Sequence, residues 1–518
     1  MMLTSKVPSE FLTHRLDCPF YHPDAMKLDQ KYREYKNIKL LSQVIDSKRH
    51  ITNGVRGPDI QPSNYHLVRL QDCQNWEINF DECLTISEKQ FHENRRCQLF
   101  EGDIVVAIGG YVGNASIARN VKPAVIGQHS AVLPFNPNGN FDERYLLAYL
   151  NSAIAETQFN RYVSGSIQAG INLEDLRDIP IPIPHKAIQN YIGDKVRLAE
   201  RLRERSRELE KVIQDKMQNC FCGNPKPYPS KHHRIDSDVL TPNRLEYEFY
   251  TPLALWANAE ILGSQWKYKK LADIALRIKD GPGGWGVSTS DYVNTGVPVI
   301  RAINLIDGEC NLTDCIFITQ KKHQELSSHK VKPNSVLLSV RGTIGRAAVF
   351  ESEEYKEANL NAAVVTIDCN NEILPHFLAE FITTEVGIIQ SQRMANGAVQ
   401  LNMNLEETGN NLIIIPPKDF QEKIVNLRQS RLAMKQLTGT LTTTAKLLVE
   451  ALIEGKITED ELKTAQQALQ KGDREPDKAI LSRLTRKGID IKGEPPLFPD
   501  LDALYEITDQ ITKDTEEE

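Results

Sequence analysis

The feature that most constrains the fold is that the chain repeats itself. Four sequence blocks recur in the same order, at offsets between 229 and 232 residues. They pair RLDCPFYHP from position 15 with RLEYEFYTP from 244, GDIVVAIGGYVGNASIA from 102 with NSVLLSVRGTIGRAAVF from 334, SGSIQAGINLE from 164 with NGAVQLNMNLE from 396, and IPIPIP from 179 with NLIIIP from 411. Blocks that keep their order at a nearly constant spacing indicate two copies of one domain plan.

The duplication divides the chain into globular, helical and connecting segments. The connection between the copies is rich in Pro, Lys, His and Ser, which is typical of a linker. The tail has helical patterns, a break at GEPPLFP (493–499) and an acidic end that we expect to be loosely held. The predicted segments are a first globular domain (1–185), a long helix (186–218), a linker (219–242), a second globular domain (243–416), a second long helix (417–455) and the acidic tail (456–518).

Local patterns in each copy predict an α/β (α+β) domain. Short aliphatic runs around Ile104 and Val336 lead into a glycine turn, as in a buried hairpin. An amphipathic helical stretch follows in each copy, at 142–162 and 374–394. The Ile-Pro alternation cannot form a central strand, since proline donates no ladder hydrogen bond, and it fits an extended edge.

Each globular domain is followed by a long helical pattern. Apolar residues recur at intervals of mostly three or four in 186–218 and in 420–452. The segment RLAERLRERSRELEK (197–211) is charged on all but a narrow stripe, which favours a coiled-coil seam over a broad core face. We therefore expect the two helices to pair as an antiparallel coiled coil.

Composition limits the class of protein. The apolar and charged fractions, 40% and 25%, are those of a soluble globular protein, and the start of the chain shows no signal-peptide pattern. Nine cysteines, an odd number, favour reduced thiols and a cytoplasmic location. The 16 acidic and 9 basic residues of 457–518 account for the whole net charge of −7, so local basic faces remain available on the rest of the chain.

The loop GTIG between Arg341 and Arg346 resembles a phosphate-binding loop at first sight. A P-loop needs a longer spacing and a lysine, and a dinucleotide fingerprint needs a third glycine opening a helix. Both are absent, whereas AAVF after the loop is typical of a strand. We therefore predict a tight turn that uses glycine for positive φ, in both copies.

No catalytic or metal motif is found in the sequence. It contains no H-E-x-x-H, G-x-S-x-G or kinase-like cluster, and no Asn/Asp-Pro-Pro-aromatic motif of an adenine methyltransferase. Cys220 and Cys222 with His232 and His233 have a poor spacing for zinc. We expect no catalytic, cofactor-binding or metal-binding residues in this chain, and hence no enzyme. Cys83 and Cys315 correspond at an offset of 232, which suits a shared buried strand position.

Basic loops are the candidate sites. SKRHITNGVRG (47–57) and RIKDGPGGWG (277–286) are glycine-bearing cationic loops at matched positions, and ENRRC (93–97) and TQKKHQ (319–324) are basic clusters at similar places. Arg341 and Arg346 have no cationic counterpart in the first copy. Such loops can contact phosphates and base edges of DNA. The predicted DNA-binding residues are Lys48, Arg49, Arg56, Arg95, Arg96, Arg277, Lys279, Lys321, Lys322, Arg341 and Arg346.

The series of motifs over about residues 14–455 resembles the specificity subunit of type I restriction–modification systems. The resemblance implies two target recognition domains that each read half of a split, double-stranded DNA target. It further implies two methyltransferase subunits carrying S-adenosylmethionine, and a restriction subunit that is a translocase and nuclease. The chain itself would bind no cofactor and catalyse nothing.

Three other hypotheses stay open at this level. The tail has no counterpart in the resemblance, which leaves room for a DNA-binding adaptor of another methyltransferase-based phage-defence system. A stand-alone nucleotide-dependent enzyme would use GTIG as a cofactor loop. A scaffold that binds only proteins is the third.

Overall fold

The computed structural model describes residues 18–517 except 36, 137–138, 140, 164–169, 229–232, 243, 284–285, 307 and 398–400; the side chains of 512–517 are not described either. The chain forms two compact units, Met1–Arg205 with Ala433–Glu518, and Ser206–Leu432. The boundaries fall inside the two long helices, so each helix contributes residues to both units.

The first copy begins with a 3-10 helix at Cys18–Tyr21 and ends with a long helix. Its helices are α1 Pro23–Glu34, α2 Leu41–Val44, α3 Glu88–Glu93, α4 Glu143–Leu150, α5 Ala153–Tyr162, α6 Leu173–Arg177 and α7 Lys186–Gln218. Its strands are β1 Ile38–Leu40, β2 Thr52–Asn53, β3 His66–Val68, β4 Cys73–Gln74, β5 Glu77–Ile78, β6 Leu84–Thr85, β7 Ile104–Ala107, β8 Ala115–Ile117, β9 Ala124–Ile126, β10 Ser130–Leu133 and β11 Pro180–Pro182.

The second copy repeats this order, starting with a 3-10 helix at Tyr247–Tyr250. Its helices are α8 Pro252–Leu262, α9 Leu271–Ile274, α10 Gln320–Glu325, α11 Pro375–Thr383, α12 Glu385–Met394, α13 Leu405–Gly409 and α14 Lys418–Ile453. Its strands are β12 Lys267–Lys270, β13 Ala275–Asp280, β14 Tyr292–Val293, β15 Val297–Ile300, β16 Leu305–Ile306, β17 Glu309–Cys310, β18 Ile316–Ile318, β19 Val336–Ser339, β20 Ala347–Val349, β21 Asn359–Leu360, β22 Val364–Cys369 and β23 Leu412–Ile415.

The sheets confirm that the two copies share one topology. The six-stranded sheet has the order β2-β10-β7-β8-β5-β4 in the first copy and β13-β22-β19-β20-β17-β16 in the second. The smaller sheet is β6-β3-β9 in the first copy and β14-β18-β15-β21 in the second. The central hairpins even share their register, since Ile104 pairs with Ile117 and Val336 with Val349. The α/β (α+β) fold class and the tandem duplication are thus confirmed.

Two local predictions are refined by the structure. The proline-rich exits are strands at the edge, as expected: β11 pairs with β1, and β23 with β12, each in a two-stranded antiparallel sheet. The helical stretch before each exit is broken into two helices rather than one. Ser152 caps α5 by accepting the Ala155 N–H, and Thr384 caps α12 by accepting the Gly387 N–H. These side chains satisfy orphan donors and so start a new helix where the apolar pattern alone indicated continuation.

The cores are aliphatic and aromatic residues between the sheets and the helices. In the second unit the end of α7 joins this core, since Ile213 and Met217 are buried with residues of β19 and α11. In the first unit a smaller cluster gathers β3, β9 and β10 around Cys97 and Leu99. In the second unit the helices that follow the sheet, α11 and α12, are therefore packed against the strands that carry the loops described below.

The long helices α7 and α14 pack against each other, as predicted. In the first unit the Thr438 hydroxyl lies 3.5 Å from the Ala199 carbonyl oxygen, and in the second the Ser206 hydroxyl lies 3.4 Å from that of Arg431. The residue number rises along one helix while it falls along the other, so the pair is antiparallel. The apolar stripes predicted from the sequence are buried at Ile188, Ile192, Val196, Ala199, Leu202, Leu209, Ile213, Ile424, Met434, Leu441, Ala445, Leu448 and Leu452.

The tail folds onto the first unit. Tyr191 and Lys195 of α7 both bind Asp477 Oδ1, at 2.5 and 2.7 Å, and Tyr505 binds Asp477 Oδ2 at 2.6 Å. The backbone is helical as far as Glu517. The tail elements are α15 Glu459–Leu469, α16 Glu475–Leu481, β24 Leu484–Thr485, β25 Gly488–Ile489 and α17 Leu501–Glu517.

Among the described residues, no helix is both long enough and apolar enough to cross a membrane.

Candidate nucleic-acid interface

The glycine loop is a hairpin turn in both copies. Gly342 and Gly345 have φ of 72° and 94°, and their counterparts Gly110 and Gly113 have φ of 78° and 97°. Each turn joins two antiparallel strands, β7 to β8 and β19 to β20. Positive φ at both glycines is the conformation that the sequence predicted for a tight turn. The prediction is confirmed.

A second glycine in each copy allows two backbone segments to touch. A Cβ on Gly54 would lie 2.0 Å from the Ile126 carbonyl oxygen, and one on Gly281 would lie 2.1 Å from that of Asn361. Only glycine permits this approach, because any side chain would overlap the facing carbonyl. The approach brings the loop after β2 or β13 beside the loop that follows β9 or β21.

The first unit therefore brings several loops together at the glycine turn. The Val55 N–H donates to the Ile126 carbonyl at 2.8 Å, and the Ile108 N–H donates to that of His129 at 2.9 Å. Gly109 forms a backbone bridge with Gly170. We call residues 55–57, 108–113, 127–129 and 170 the first loop cluster. Its exposed side chains include Arg56, Tyr111, Gln128 and His129.

The second unit repeats the arrangement. The Gly281 N–H donates to the Val364 carbonyl at 3.2 Å, and the Val340 N–H donates to that of Ala363 at 2.8 Å. Arg341 forms a backbone bridge with Asn402, at the positions of Gly109 and Gly170 in the first copy. We call residues 281–283, 340–345, 361–363 and 401–403 the second loop cluster. It presents the exposed Arg341 and the half-buried Asn361 and Asn402.

The side chains of these clusters are suited to reading base edges. Arg matches guanine O6 and N7 bidentately, while Asn and Gln match adenine N6 and N7. In the first cluster Gln128 Nε2 lies 3.0 Å from His129 Nε2. In the second, Arg341 Nε donates to Asn402 Oδ1 at 2.8 Å. The two copies thus hold different polar side chains on the same backbone frame.

Six of the predicted DNA-binding residues are exposed, and among the described residues no hydrogen bond or ion pair of their side chains is recorded. Arg95 and Arg96 form the 3-10 helix Arg95–Cys97, whose Arg96 carbonyl accepts the Thr52 hydroxyl of β2 at 3.0 Å. This contact places the 3-10 helix beside β2. Arg95 and Arg96 therefore lie near the turn before β2, which contains Lys48, and the loop after it, which contains Arg56. The six residues are Lys48, Arg56, Arg95, Arg96, Lys321 and Arg346.

The guanidinium groups of Arg49 and Arg277 are engaged within the protein. Arg49 forms two hydrogen bonds with the buried Asp103 carboxylate, at 2.8 and 2.7 Å, and lies over the Phe100 ring. Arg277 donates to the carbonyls of Lys330 and Ser328, at 3.0 and 2.7 Å. Arg49 thus ties the turn before β2 to the residue before β7, and Arg277 ties β13 to the 3-10 helix Ser327–His329, so their geometry favours a structural role.

The two lysines that remain are half-buried and lie near carboxylates. Lys322 Nζ is 3.8 Å from Asp291 and 3.6 Å from Glu325. Lys279 Nζ is 3.8 Å from Asp280. Such partly exposed pairs are weak, so both lysines stay available to a phosphate.

The basic clusters ENRRC and TQKKHQ lie on different elements. Lys321 and Lys322 belong to α10, whose counterpart is α3, whereas Arg95 and Arg96 lie in the 3-10 helix that corresponds to Ser327–His329. In the first copy the basic cluster is therefore in the 3-10 helix beside β2. In the second copy it is in α10, the helix that precedes the corresponding 3-10 helix. This difference is a further way in which the copies diverge around one frame.

No group of three or more potential metal ligands occurs in the described part of the chain. His232, one of the four residues considered for zinc, lies outside the described residues. Cys222 is within hydrogen-bonding distance of the carbonyls of Ala259 and Glu260.

The matched cysteines Cys83 and Cys315 lie one residue before β6 and β18 rather than within a strand. Burial raises the pKa of Cys83 to about 12 and that of Cys315 to about 11. Both thiols therefore stay protonated near neutral pH and are poor nucleophiles.

Sequence reasoning missed several residues of the loop clusters. Gly54 and Gly281 stand in loops that were selected for their cations, but their separation differs from the repeat offsets of 229 to 232, so the duplication does not pair them in the sequence. Tyr111 is 83% exposed at the tip of its turn. Gln128 and His129 carry no motif, and Asn402 belongs to the repeated block NGAVQLNMNLE, which gave no sign of a site. Only the hydrogen-bonded frame brings them beside the turns.

Comparisons with known proteins agree with the duplicated plan. The family model described as type I restriction modification DNA specificity domain matches residues 41–212 and again 263–444. A curated relative is the specificity subunit of the type I restriction enzyme EcoBI of Escherichia coli, 22% identical over 391 residues, 74% of this chain and 77% of that protein.

Solved structures were also matched. The S subunit of a type I restriction-modification system from M. genitalium aligns at 15% identity and a TM-score of 0.43, over 80% of this chain and 95% of that one. The HsdS subunit from Thermoanaerobacter tengcongensis aligns at 16% identity and a TM-score of 0.27, over 81% and 97%. Since the family model covers more than half of the chain in two copies, the protein belongs to the type I restriction–modification DNA specificity family.

Proposed function

We propose that the chain is the DNA sequence-recognition subunit of a type I restriction–modification complex and binds a bipartite target. The observation that carries the proposal is the pair of loop clusters. They share hydrogen bonds and glycine contacts but differ in side chains, with Gln128 and His129 in one and Arg341 and Asn402 in the other. One frame with two side-chain sets suits two unlike half-sites.

The antiparallel helix pair supports a fixed gap between the half-sites. Helices α7 and α14 have 33 and 36 residues, and most residues of their apolar stripes are buried. A packed helix pair is stiff compared with a loop linker, so the number of unread base pairs between the half-sites would be constant.

The proposed complex supplies the chemistry from other chains. Two methyltransferase subunits would bring S-adenosylmethionine, and a restriction subunit would add translocation and cleavage. This chain would be non-catalytic and cytoplasmic. The similarity to the EcoBI specificity subunit supports this assignment.

Methylome mapping tests the proposal. A host that carries the chain and its methyltransferase should show one split adenine-methylation motif, and the motif should disappear when only this chain is deleted. Purified chain alone should methylate no DNA. Methylation by the chain without a partner would contradict the proposal and favour a stand-alone enzyme.

One observation favours a second candidate. The folded tail, 456–518, lies beyond the residues matched by the family model. An adaptor of another methyltransferase-based defence system would also need DNA-binding domains plus an added module. Mass spectrometry of the purified native complex separates the two, because only the restriction–modification assignment requires methyltransferase subunits together with a translocase–nuclease. A protein-only scaffold would give no salt-sensitive shift of duplex DNA.

A further inference from the structure

The two loop clusters share one backbone frame but differ at one pair of bridged positions. The second copy has Arg341 and Asn402 there, whereas the first copy has two glycines. In the second unit the Met403 N–H donates to the Val340 carbonyl at 2.9 Å, and the Gly342 N–H donates to that of Leu401 at 3.3 Å. Arg341 and Asn402 therefore lie opposite each other. In the first unit the corresponding bond joins Ile171 to Ile108 at 3.0 Å. There the opposed residues are both glycines, Gly109 and Gly170.

Asn402 is held in place before any ligand binds. Its N–H donates to the Asn396 carbonyl at 2.7 Å, and its carbonyl accepts the Asn396 N–H at 2.8 Å. Its side-chain oxygen then accepts Arg341 Nε at 2.8 Å. An acceptor fixed by its own backbone restricts the torsions of the arginine, so less side-chain entropy is lost when the arginine binds.

The hydrogen bond to Asn402 leaves the two terminal nitrogens of the Arg341 guanidinium group available to a ligand. With Nε bound to Asn402, the two terminal nitrogens of the exposed Arg341 form a planar fork of N–H donors. Such a fork matches O6 and N7 of guanine in the major groove. A phosphate would also accept from it, but a phosphate contact does not require one fixed orientation, whereas a bidentate base contact does.

We propose that Arg341 reads a guanine in the half-site bound by the second unit, and that Asn402, bridged to it through the backbone, is its positioning residue. The inference rests on the proposed function and names the base. The glycines at the same positions of the first copy read no base edge, so guanine recognition by this frame is confined to one half-site.

Arg346 on the same turn provides a matched control. It is exposed, and among the described residues no hydrogen-bond or ion-pair partner of its side chain is recorded. Without an acceptor such as Asn402 it has no set orientation. Its expected contact is a phosphate, which adds affinity and no base preference.

The test is selection of double-stranded DNA from a randomised pool by the purified full-length chain, followed by sequencing. The wild type should select a split motif with a guanine in one half. Arg341→Ala should lower the preference for that guanine by roughly 10- to 100-fold, the range expected for one bidentate contact, and leave the other half unchanged. Arg341→Lys keeps the charge but loses the fork, so it should lose the same preference.

Variants of the partner test the positioning role. Asn402→Ala should weaken the guanine preference while most of the affinity remains. Asn402→Asp keeps an acceptor oxygen and should retain the preference at lower overall affinity, because its negative charge repels DNA. Arg346→Ala should lower affinity for all sequences alike and leave the motif intact. Circular dichroism on each variant verifies that it is folded.

Two outcomes would overturn the inference. If the wild type selects a split motif and Arg341→Lys leaves it unchanged, Arg341 reads no base. If Arg341→Ala lowers affinity equally for every sequence, its contact is a phosphate. Selection of no motif by the wild type, even with methyltransferase subunits added, would instead count against the proposed function itself.

Discussion

At the residue scale, neighbouring cations of one loop have different environments. Lys48 is exposed, whereas the next residue, Arg49, forms two hydrogen bonds with a carboxylate that is 1% exposed. Asp103 also accepts the backbone N–H groups of Phe100 and Phe135, at 2.9 Å each. The carboxylate thus ties three segments together, and its charge needs the arginine.

Substitution of Arg49 should affect the stability of the fold, whereas substitution of Lys48 should affect DNA binding. Arg49→Ala leaves a buried charge without its cation and should lower the free energy of unfolding by about 2–4 kcal/mol. Lys48→Ala should change stability by less than about 0.5 kcal/mol and weaken DNA binding instead. Urea unfolding and DNA titration measure the two effects. Equal stability of both variants would show that the Arg49–Asp103 pair contributes nothing.

A glycine pair gives a second residue-scale prediction. Gly281→Ala places a methyl group against the Asn361 carbonyl and should lower the stability of the second unit by about 2–3 kcal/mol, a fall of several degrees in the unfolding midpoint. Gly283→Ala is the control, because a Cβ there meets no atom within 4 Å. Differential scanning fluorimetry compares the two, and indistinguishable midpoints would contradict the required close approach.

At the element scale, the buried Asp477 carboxylate is one of the contacts that attach the tail to α7, beside the bond from Gln466 to Asp194. Burial opposes the ionisation of Asp477, but Lys195 and the hydroxyls of Tyr191 and Tyr505 outweigh it, so the pKa of Asp477 is lowered from 3.8. Side chains of Lys195 and Asp477 are 8% and 2% exposed. Because the pair is buried, loss of one partner is costly.

The attachment should depend on pH in a definite direction. A carboxylate with a lowered pKa in the folded state stabilises fully above its unfolded pKa, and this stability is lost as the pH falls below about 4. Acidification below that value should therefore release the tail, as judged by limited proteolysis with pepsin.

Asp477→Asn should make the tail sensitive to trypsin at neutral pH, at a cost of about 3–5 kcal/mol. Asp460→Asn, whose side chain is 94% exposed, should not. If both variants resist trypsin as the wild type does, Asp477 does not hold the tail.

At the scale of the whole molecule, the two units should act separately on DNA. Gln128→Ala should alter one half of the recognised motif, and the double variant Arg341→Ala with Arg346→Ala should alter the other half. A chain with all three changes should show the sum of both effects, since sites without shared contacts are additive. Methylome sequencing of hosts expressing each variant reads both halves at once. Loss at both half-sites from the double variant alone would contradict separate recognition.

Much of the architecture could be predicted because it depends on repetition and on apolar spacing. The constant offset indicated the duplication, the three-four apolar spacing indicated α7 and α14, and the glycine pairs indicated the hairpin turns. These signals are local or periodic, so no folded structure is needed to recognise them. The sequence by itself determined two like domains, two paired helices and the absence of familiar catalytic motifs.

The candidate site could be predicted only in part. The sequence selected eleven cations by charge, but it could not separate Arg49, which pairs with Asp103, from the exposed Lys48. It also could not place Asn402 beside Arg341, because that contact joins residues 61 positions apart. The tail presented only charge and weak helical patterns, and its attachment depends on Asp477 meeting Lys195 across 282 positions. Only the tertiary structure decided these pairings, since hydrogen bonds between distant segments depend on how the chain packs and leave no periodic mark in the sequence.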